Sequence, residues 1–142
     1  MFGRASRGLA LAVLALGLAA APAAAQPSGL VAAPGPNPQW VEVNQTDDGR
    51  GYVDRGSVRN VNGKVRFLGR IVYTSENEHG LVEVFHLGEI DCAARTFRAV
   101  GFDAFGAAGR LIVSHTNTLE EAPAEPIGAG SPNEALHAEH CR

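Results

Sequence analysis

The chain has 142 residues and a formal net charge of −3, with 12 Lys and Arg against 15 Asp and Glu. A nucleic-acid-binding protein needs a dense cationic surface, so the charge balance excludes that class. The length accommodates one domain with a modest core and leaves no room for two.

The N-terminal segment has the order of features found in a secretory signal peptide. Arg4 and Arg7 precede an apolar run over residues 8–21, and three alanines at 23–25 precede Gln26. The run is shorter than the roughly 17 to 25 residues that span a bilayer as a helix, and small residues follow it as at a cleavage site. We expect a signal peptide over residues 1–25 and a protein that is periplasmic or secreted, not membrane-spanning. No cysteine lies near the predicted cleavage site to accept a lipid.

A linker is predicted next, over residues 26–38. It contains four prolines among Gly, Ala and Ser, which favour neither a helix nor a strand ladder. We expect this segment to be flexible, and the folded domain to occupy residues 39–142 with order beginning at Gln39.

Alternating apolar and polar residues, separated by turn residues, predict about six strands. They fall at residues 40–43, 51–54, 64–74, 81–92 and 96–105, and a last one begins at Leu111. The dipeptide Asn62-Gly63 is typical of a tight hairpin turn. Because the connections are short, the strands are expected to form an antiparallel meander.

The C-terminal segment carries the start signals of a short helix. After a predicted loop over residues 116–130, Ser131 can cap the helix, Pro132 can take the first helical position, and Glu134 can complete a capping box. About two and a half turns fit before the chain ends, and so short a helix is marginal alone in water. It must therefore be attached to the sheet.

Cys92 and Cys141 are the two cysteines of the chain. In a small exported domain, an even pair predicts a disulfide, which would supply the attachment of the helix. Two free thiols, or a zinc site with His137 and His140, remain alternatives, although no Cys-x-x-Cys spacing supports zinc. The predicted fold class is thus α+β: an antiparallel sheet with a short C-terminal helix pinned by a disulfide.

These residues together resemble the surface-adhesin protein E family of exported Gram-negative bacterial proteins. The matching positions are Trp40, Tyr52-Val53-Asp54, Ser57-Val58, Tyr73, Glu89-x-Asp91-Cys92, Arg95, Arg98, Ile127-x-x-Gly130-Ser131 and Cys141. The resemblance covers nearly all of the predicted domain. It implies one antiparallel sheet with a disulfide-tethered helix, and an adhesin-like role. Ala124 and Ala129 stand where family members often carry tryptophan and proline.

The sequence offers no constellation for catalysis, and we predict a protein that is not an enzyme and holds no cofactor. No serine lies in a nucleophile-elbow motif or beside a recognisable base. His137 and His140 could face one side of the helix, compatible with a metal or a haem edge, but a solvated helix end is the preferred interpretation. His86 falls on an apolar strand face and is expected to be a satisfied core or groove residue.

Four arginines form the candidate binding site: Arg66, Arg70, Arg95 and Arg98. If their strands are adjacent, they could form a basic patch for an acidic partner. The competing interpretation is a solvated face on which they pair with Glu83, Glu89 and Asp91. The predicted function is a binding module for a protein or another envelope or extracellular ligand. The alternative is a structural or inhibitory envelope protein that acts through a protein partner, and a homodimer is left open.

Overall fold

The computed structural model describes residues 30–142, so the predicted signal peptide and the first residues of the predicted linker lie outside the described part. Eight strands are present in this range: β1 (Trp40–Gln45), β2 (Gly49–Asp54), β3 (Arg59–Val61), β4 (Lys64–Tyr73), β5 (Glu83–Asp91), β6 (Thr96–Phe105), β7 (Leu111–Thr116) and β8 (Glu125–Pro126). One α-helix, α1 (Pro132–His140), follows them. The predicted α+β architecture is confirmed.

All eight strands belong to one antiparallel sheet with the order β1-β2-β4-β5-β6-β7. The two short strands β3 and β8 pair with β4 and β6 respectively. A 3-10 turn at Arg55–Ser57 separates β2 from β3, and both then run along the same edge of β4. The six long strands therefore form the predicted meander, with β1 and β7 at its edges.

The turn between β3 and β4 has the geometry that its sequence favours. Asn62 and Gly63 both have positive φ angles, 54° and 78°. Both angles are required by a type I′ hairpin turn, and asparagine and glycine tolerate them best. The register that follows pairs Val61 with Lys64.

The main core lies between the sheet and α1. It comprises the buried side chains of Val53, Val58, Val65, Phe67, Ile90 and Leu136. In β4 these are Val65 and Phe67, two residues apart, because successive side chains of a strand point to opposite faces. We call this side of the sheet the helix face and the other side the open face.

The predicted cap of α1 is present, with one difference. The Ser131 side chain accepts from the backbone N–H of Glu134 at 3.3 Å, and Pro132 begins the helix. The Glu134 carboxylate accepts from the backbone N–H of Gly130 instead of that of the cap residue. This positions the negative charge at the helix N-terminus, where the exposed N–H groups favour it.

The C-terminal end of α1 is tied to the sheet by a disulfide between Cys92 and Cys141, as the sequence predicted. Three further contacts hold it. The Asn60 amide donates to the His140 carbonyl at 2.7 Å, His137 Nε2 lies 3.0 Å from the Cys92 carbonyl, and Arg55 pairs with Glu139 at 2.6 Å. A helix of nine residues thus gains its stability from tertiary contacts.

Order begins earlier than the sequence predicts. The backbone N–H groups of Val31 and Ala32 donate to Asp103 of β6 at 3.0 and 2.6 Å, and Ala32 is buried. Gln39 then donates to Asp54 of β2 at 2.7 Å. Residues 30–38 therefore form a strap that crosses the open face from β6 to β2. The composition of the strap gave no sign of this, because a distant carboxylate anchors it.

The predicted loop over residues 116–130 is not wholly irregular. Its residues Glu125–Pro126 form β8, with Pro126 opposite Thr96 and Glu125 opposite Phe97. The Ile127 N–H donates to the Arg95 carbonyl at 3.0 Å. Proline is tolerated here because β8 lies at the edge of the sheet, where its missing N–H breaks no ladder.

Candidate functional site

The open face carries a row of side chains set by the strand register. Tyr52 of β2 lies opposite Arg70 of β4, Arg70 opposite Phe85 of β5, and Phe85 opposite Asp103 of β6. Residues directly opposite in neighbouring strands share one face of a sheet. The row therefore places a cation between two aromatic rings.

Arg70 is the centre of this arrangement. Its guanidinium carbon lies 5.7 Å from the ring centroid of Trp40 and 5.8 Å from those of Tyr52 and Phe85. These distances fall within the range of cation–π attraction. Arg70 Nε also donates to the carboxylate of Glu83, one row further along β5. The side chain is thus held in one position by three rings and one ion pair.

Further aromatic contacts extend the group towards β6. The rings of Trp40 and Phe85 are 5.9 Å apart, and those of Phe85 and Phe105 are 5.8 Å apart in an edge-to-face arrangement. We call Trp40, Tyr52, Arg70, Phe85 and Phe105 the aromatic cluster; each member is partly exposed. The strap of residues 30–38 borders the cluster, since it begins at Asp103 and leads into Trp40.

Arg66 and Arg98 lie on the same face, further along the sheet. Arg66 of β4 and Arg98 of β6 both lie opposite Glu89 of β5, which separates them. Arg66 Nε donates to Glu89 at 2.8 Å, and Arg98 Nη2 donates to the Asn117 carbonyl at 3.1 Å. The neighbouring Lys64 pairs with Asp91. The positive charges in this part of the open face therefore alternate with carboxylates.

Arg95 lies apart from the other three arginines. It belongs to the turn between β5 and β6, has a φ of 53°, and its Nη1 lies 3.3 Å from Nδ1 of His137. Its side chain therefore reaches α1 on the helix face. The structure brings Arg66 and Arg98 together around Glu89, places Arg70 in the aromatic cluster, and separates Arg95 from them.

The ion pair of Lys64 with Asp91 is reflected in both pKa values. The backbone N–H of Ala94 and the Lys64 ammonium hold the pKa of Asp91 below its ordinary value, because each stabilises the carboxylate. The hydrogen bond from Lys64 to Asp91 raises the pKa of Lys64. Both groups are therefore charged across the neutral pH range.

The two histidines of α1, His137 and His140, differ in the contacts of their ring nitrogens. His137 contacts the Cys92 carbonyl through Nε2 and Arg95 through Nδ1, so both of its nitrogens are engaged and it is not a solvated helix end. His140 Nε2 lies 3.6 Å from the carboxylate of Glu139. Within residues 30–142, no group of three or more His, Cys, Asp or Glu side chains is placed to hold a metal ion.

Several serine and aspartate side chains have structural contacts. Ser57 donates to the Asp54 carbonyl and accepts from the Leu68 N–H, while Ser131 caps α1. Asp54 accepts from the N–H groups of Gln39 and Gly56. Ser114 donates to buried Asp103. Each of these groups holds a backbone segment or a buried carboxylate in place.

Residues 40–142 match the model of the family described as surface-adhesin protein E. The chain belongs to this family. A search of curated proteins finds no match.

Among solved structures, this member of the surface-adhesin protein E family is similar to protein E of Haemophilus influenzae, crystal form II. The two share 11% sequence identity with a TM-score of 0.50, over 80% of this chain and 98% of that one. At this identity the likeness shows the fold alone. No helix within residues 30–142 is long and apolar enough to cross a membrane.

The aromatic cluster was missed from the sequence. Alternation along β5 puts Phe85 on one face with Glu83 and Leu87, and charge alone makes Arg70 a candidate, but the pairing of Tyr52, Arg70 and Phe85 depends on the register between three strands. Alternation within one strand does not give that register. The signal that could have found the cluster is the occurrence of Trp40, Tyr52 and Phe85 on strands predicted to be near neighbours.

Proposed function

We propose that the chain is an exported, non-catalytic binding protein, adhesin-like in its action, that uses the aromatic cluster to recognise a protein or another extracellular or envelope ligand. Membership of the surface-adhesin protein E family supports a role at a surface. The signal-peptide pattern of residues 1–25 supports export to the periplasm or beyond. Retention of Met1 in the exported protein, measured by intact mass, would contradict the export.

The observation that carries this proposal is the fixed position of Arg70 over three partly exposed rings. Tryptophan, tyrosine and arginine are the residues that dominate binding hot spots in protein interfaces. Since the rings and Glu83 already order the Arg70 side chain, little rotamer entropy is lost when a partner docks on it. The cluster also presents a nearly balanced charge, because Glu83 offsets Arg70.

The four arginines of the sequence prediction contribute differently in this proposal. Arg70 contacts the partner as part of the cluster. Arg66 and Arg98 flank it and steer approach through their charge. Arg95 supports α1 through His137. Replacing all four by glutamine should weaken binding, and replacing Arg70 alone should account for most of the loss.

The test compares the wild-type protein with Trp40→Ala and Arg70→Gln in binding to envelope extracts. Arg110→Gln is the matched control, since Arg110 is exposed, follows the turn before β7 and carries the same charge. The wild type and the control should retain one stoichiometric partner, identified by mass spectrometry. Both cluster variants should lose it while remaining folded, as their thermal unfolding transitions will show. Retention by both variants would exclude the cluster as the binding site.

A second candidate function rests on the edge strand β7. Three consecutive apolar residues, Leu111, Ile112 and Val113, are 36%, 38% and 39% exposed there, and the strand contains no Lys, Arg, Asp or Glu. Natural edge strands are usually protected by charges or proline against pairing with another chain. This unprotected edge supports a structural or inhibitory envelope protein that accepts a strand from a partner or from a second copy.

Substitution of Ile112 by lysine separates the two candidates. A charge in β7 should prevent strand addition and leave the open face unchanged. If the partner is lost from Ile112→Lys and kept by Trp40→Ala, the edge is the binding site. If the reverse is found, the aromatic cluster is. Gel filtration of the same variants reports whether a homodimer forms through the edge.

A further inference from the structure

A cleft of about 250 Å³ opens on the helix face, beside the start of α1. It lies on the opposite side of the sheet from the rings of the aromatic cluster, although Tyr52 and Arg70 of that cluster also line it. Its lining includes Val43, Gly51, Ile71, His86, Phe97 and Pro132. Most of these side chains are apolar, and His86 is the one imidazole among the described residues that line the cleft.

Two glycines leave room for the rings of Phe67 and His86 against the sheet at this cleft. A Cβ atom on Gly88 would lie 2.3 Å from Cζ of Phe67, and one on Gly69 would lie 2.2 Å from Cε1 of His86. Any side chain at either position would push the ring above it away from the strand. Phe97 adds a third ring, stacked on Phe67 at an interplanar angle of 27°. The floor of the cleft is thus formed by the nearly parallel rings of Phe67 and Phe97, with the His86 ring set edge to face against Phe67 at an interplanar angle of 81°.

His86 is an unusual component of this floor. Its Nδ1 is buried and has no hydrogen-bond partner among residues 30–142, contrary to the satisfied histidine that the sequence predicted. Burial lowers the pKa of His86, so its ring is neutral at neutral pH and carries one N–H donor and one lone pair. Buried polar atoms are nearly always paired, and an unpaired one calls for an explanation.

The charge and size of the cleft narrow the choice of ligand. No carboxylate lines it, and Arg70 contributes to the lining while its guanidinium lies among the rings on the open face. Clefts for drug-sized ligands measure about 300 to 1,000 Å³, so this one suits a smaller molecule. A hydroxyl group both donates and accepts, and it can therefore complement either tautomer of a neutral imidazole.

We propose that this cleft binds a small, uncharged aromatic molecule bearing a hydroxyl group, with its ring against Phe67 and Phe97 and its hydroxyl hydrogen-bonded to His86. The nearly parallel rings of Phe67 and Phe97 favour an aromatic ring through stacking and edge contacts. The imidazole then distinguishes a phenol from the corresponding hydrocarbon, because a site with a buried polar group rejects a ligand that leaves the group unpaired.

The experiment titrates the purified protein with p-cresol and, separately, with toluene, which has the same ring and methyl group but no hydroxyl. Binding is followed by NMR through the ring signals of His86 and the amide signals of Gly51 and Gly69. The wild type should bind p-cresol saturably and at least about ten-fold more tightly than toluene. His86→Phe retains the ring shape and should bind the two compounds equally.

Two further variants make the outcome decisive. Gly51→Val places a residue that suits a strand in the cleft, and its Cβ would meet only Asn44 Cβ at 3.4 Å and Asn44 O at 3.9 Å. We therefore expect this variant to fold and to exclude both compounds. His115→Phe removes an exposed imidazole in β7 and should bind as the wild type does. The proposal is overturned if p-cresol gives no saturable shift at His86. It is also overturned if toluene binds the wild type equally well, or if folded Gly51→Val binds p-cresol unchanged.

Discussion

The backbone N–H of Ala32 donates a 2.6 Å hydrogen bond to Oδ2 of Asp103, 71 residues further along the chain. Oδ1 of the same carboxylate accepts from the N–H of Val31 at 3.0 Å and from the hydroxyl of Ser114. Asp103 is fully buried, and three donors satisfy it. A buried carboxylate therefore connects the strap to the two last long strands of the sheet.

Removal of this carboxylate should release the strap. Asp103→Ala leaves the N–H groups of Val31 and Ala32 without their acceptor, and such bonds to a charged group contribute about 1.5 to 3 kcal/mol each. Since the freed strap can hydrate, we expect a loss of about 2 to 4 kcal/mol in the free energy of unfolding. Hydrogen exchange should show early loss of protection at Val31 and Ala32.

Asp48→Ala is the matched control for the strap, since Asp48 is an exposed aspartate in the turn before β2. It should leave the protection of Val31 and Ala32 unchanged. Equal protection of these two amides in Asp103→Ala and in the wild type would show that Asp103 does not anchor the strap.

Loss of the disulfide should free α1 before the sheet unfolds. Cys92 and Cys141 lie 49 positions apart, and the chain-entropy model assigns a bridge of this span about 4 kcal/mol. In Cys141→Ser the helix keeps Leu136 in the core and the hydrogen bond from Asn60 to His140. These contacts are fewer than those of the sheet, so amides of α1 should exchange well before those of β4 and β5.

The double variant with serine at both cysteine positions serves as the control, and it should behave as Cys141→Ser does. Simultaneous loss of protection in α1, β4 and β5 would mean that the helix and the sheet unfold as one cooperative unit.

His86 should make the stability of the protein depend on pH. Burial lowers its pKa below the ordinary 6.5, so the unfolded chain takes up a proton at a higher pH than the folded protein does. The contribution of neutral His86 to the free energy of unfolding is fully present above about pH 6.5 and is lost as the pH falls. Urea midpoints should therefore decrease from pH 7 to pH 5 in the wild type, and less so in His86→Phe.

The exposed His79 provides the control, because His79→Gln should retain the wild-type slope between pH 7 and pH 5. The carboxylates whose pKa is lowered affect the stability in a different pH range. Asp91, Glu121 and Glu139 lose their stabilising contribution only below about pH 4.5, as each is protonated. An unchanged slope in His86→Phe would contradict the assignment to His86.

Gly88 should not tolerate a side chain. A Cβ there would lie 2.3 Å from the ring of Phe67, so Gly88→Ala must displace that ring from the core. Overpacking of this kind costs about 1 to 3 kcal/mol. A Cβ on Gly35 meets no atom within 4 Å, and Gly35→Ala should leave the thermal midpoint unchanged. Equal midpoints for the two variants would show that the Phe67 ring does not need the glycine.

The six long strands, the Asn62-Gly63 turn, the capped helix and the disulfide could be predicted because each depends on neighbouring residues or on a unique pair. Strand alternation is visible within about ten residues, and the signals of a hairpin turn or helix cap within four. With two cysteines, one intramolecular pairing exists. The sequence also placed Arg70 among the candidate site residues by its charge alone.

Tertiary structure alone decided the features that join distant residues. The register of β2, β4 and β5 groups Tyr52, Arg70 and Phe85, and a shift of one residue would have sent Arg70 to the helix face. The anchoring of Ala32 by Asp103 and the cleft beside His86 likewise depend on how strands and α1 pack. Local patterns determine which elements form, whereas the energies of register and packing arise from contacts between residues far apart in the chain.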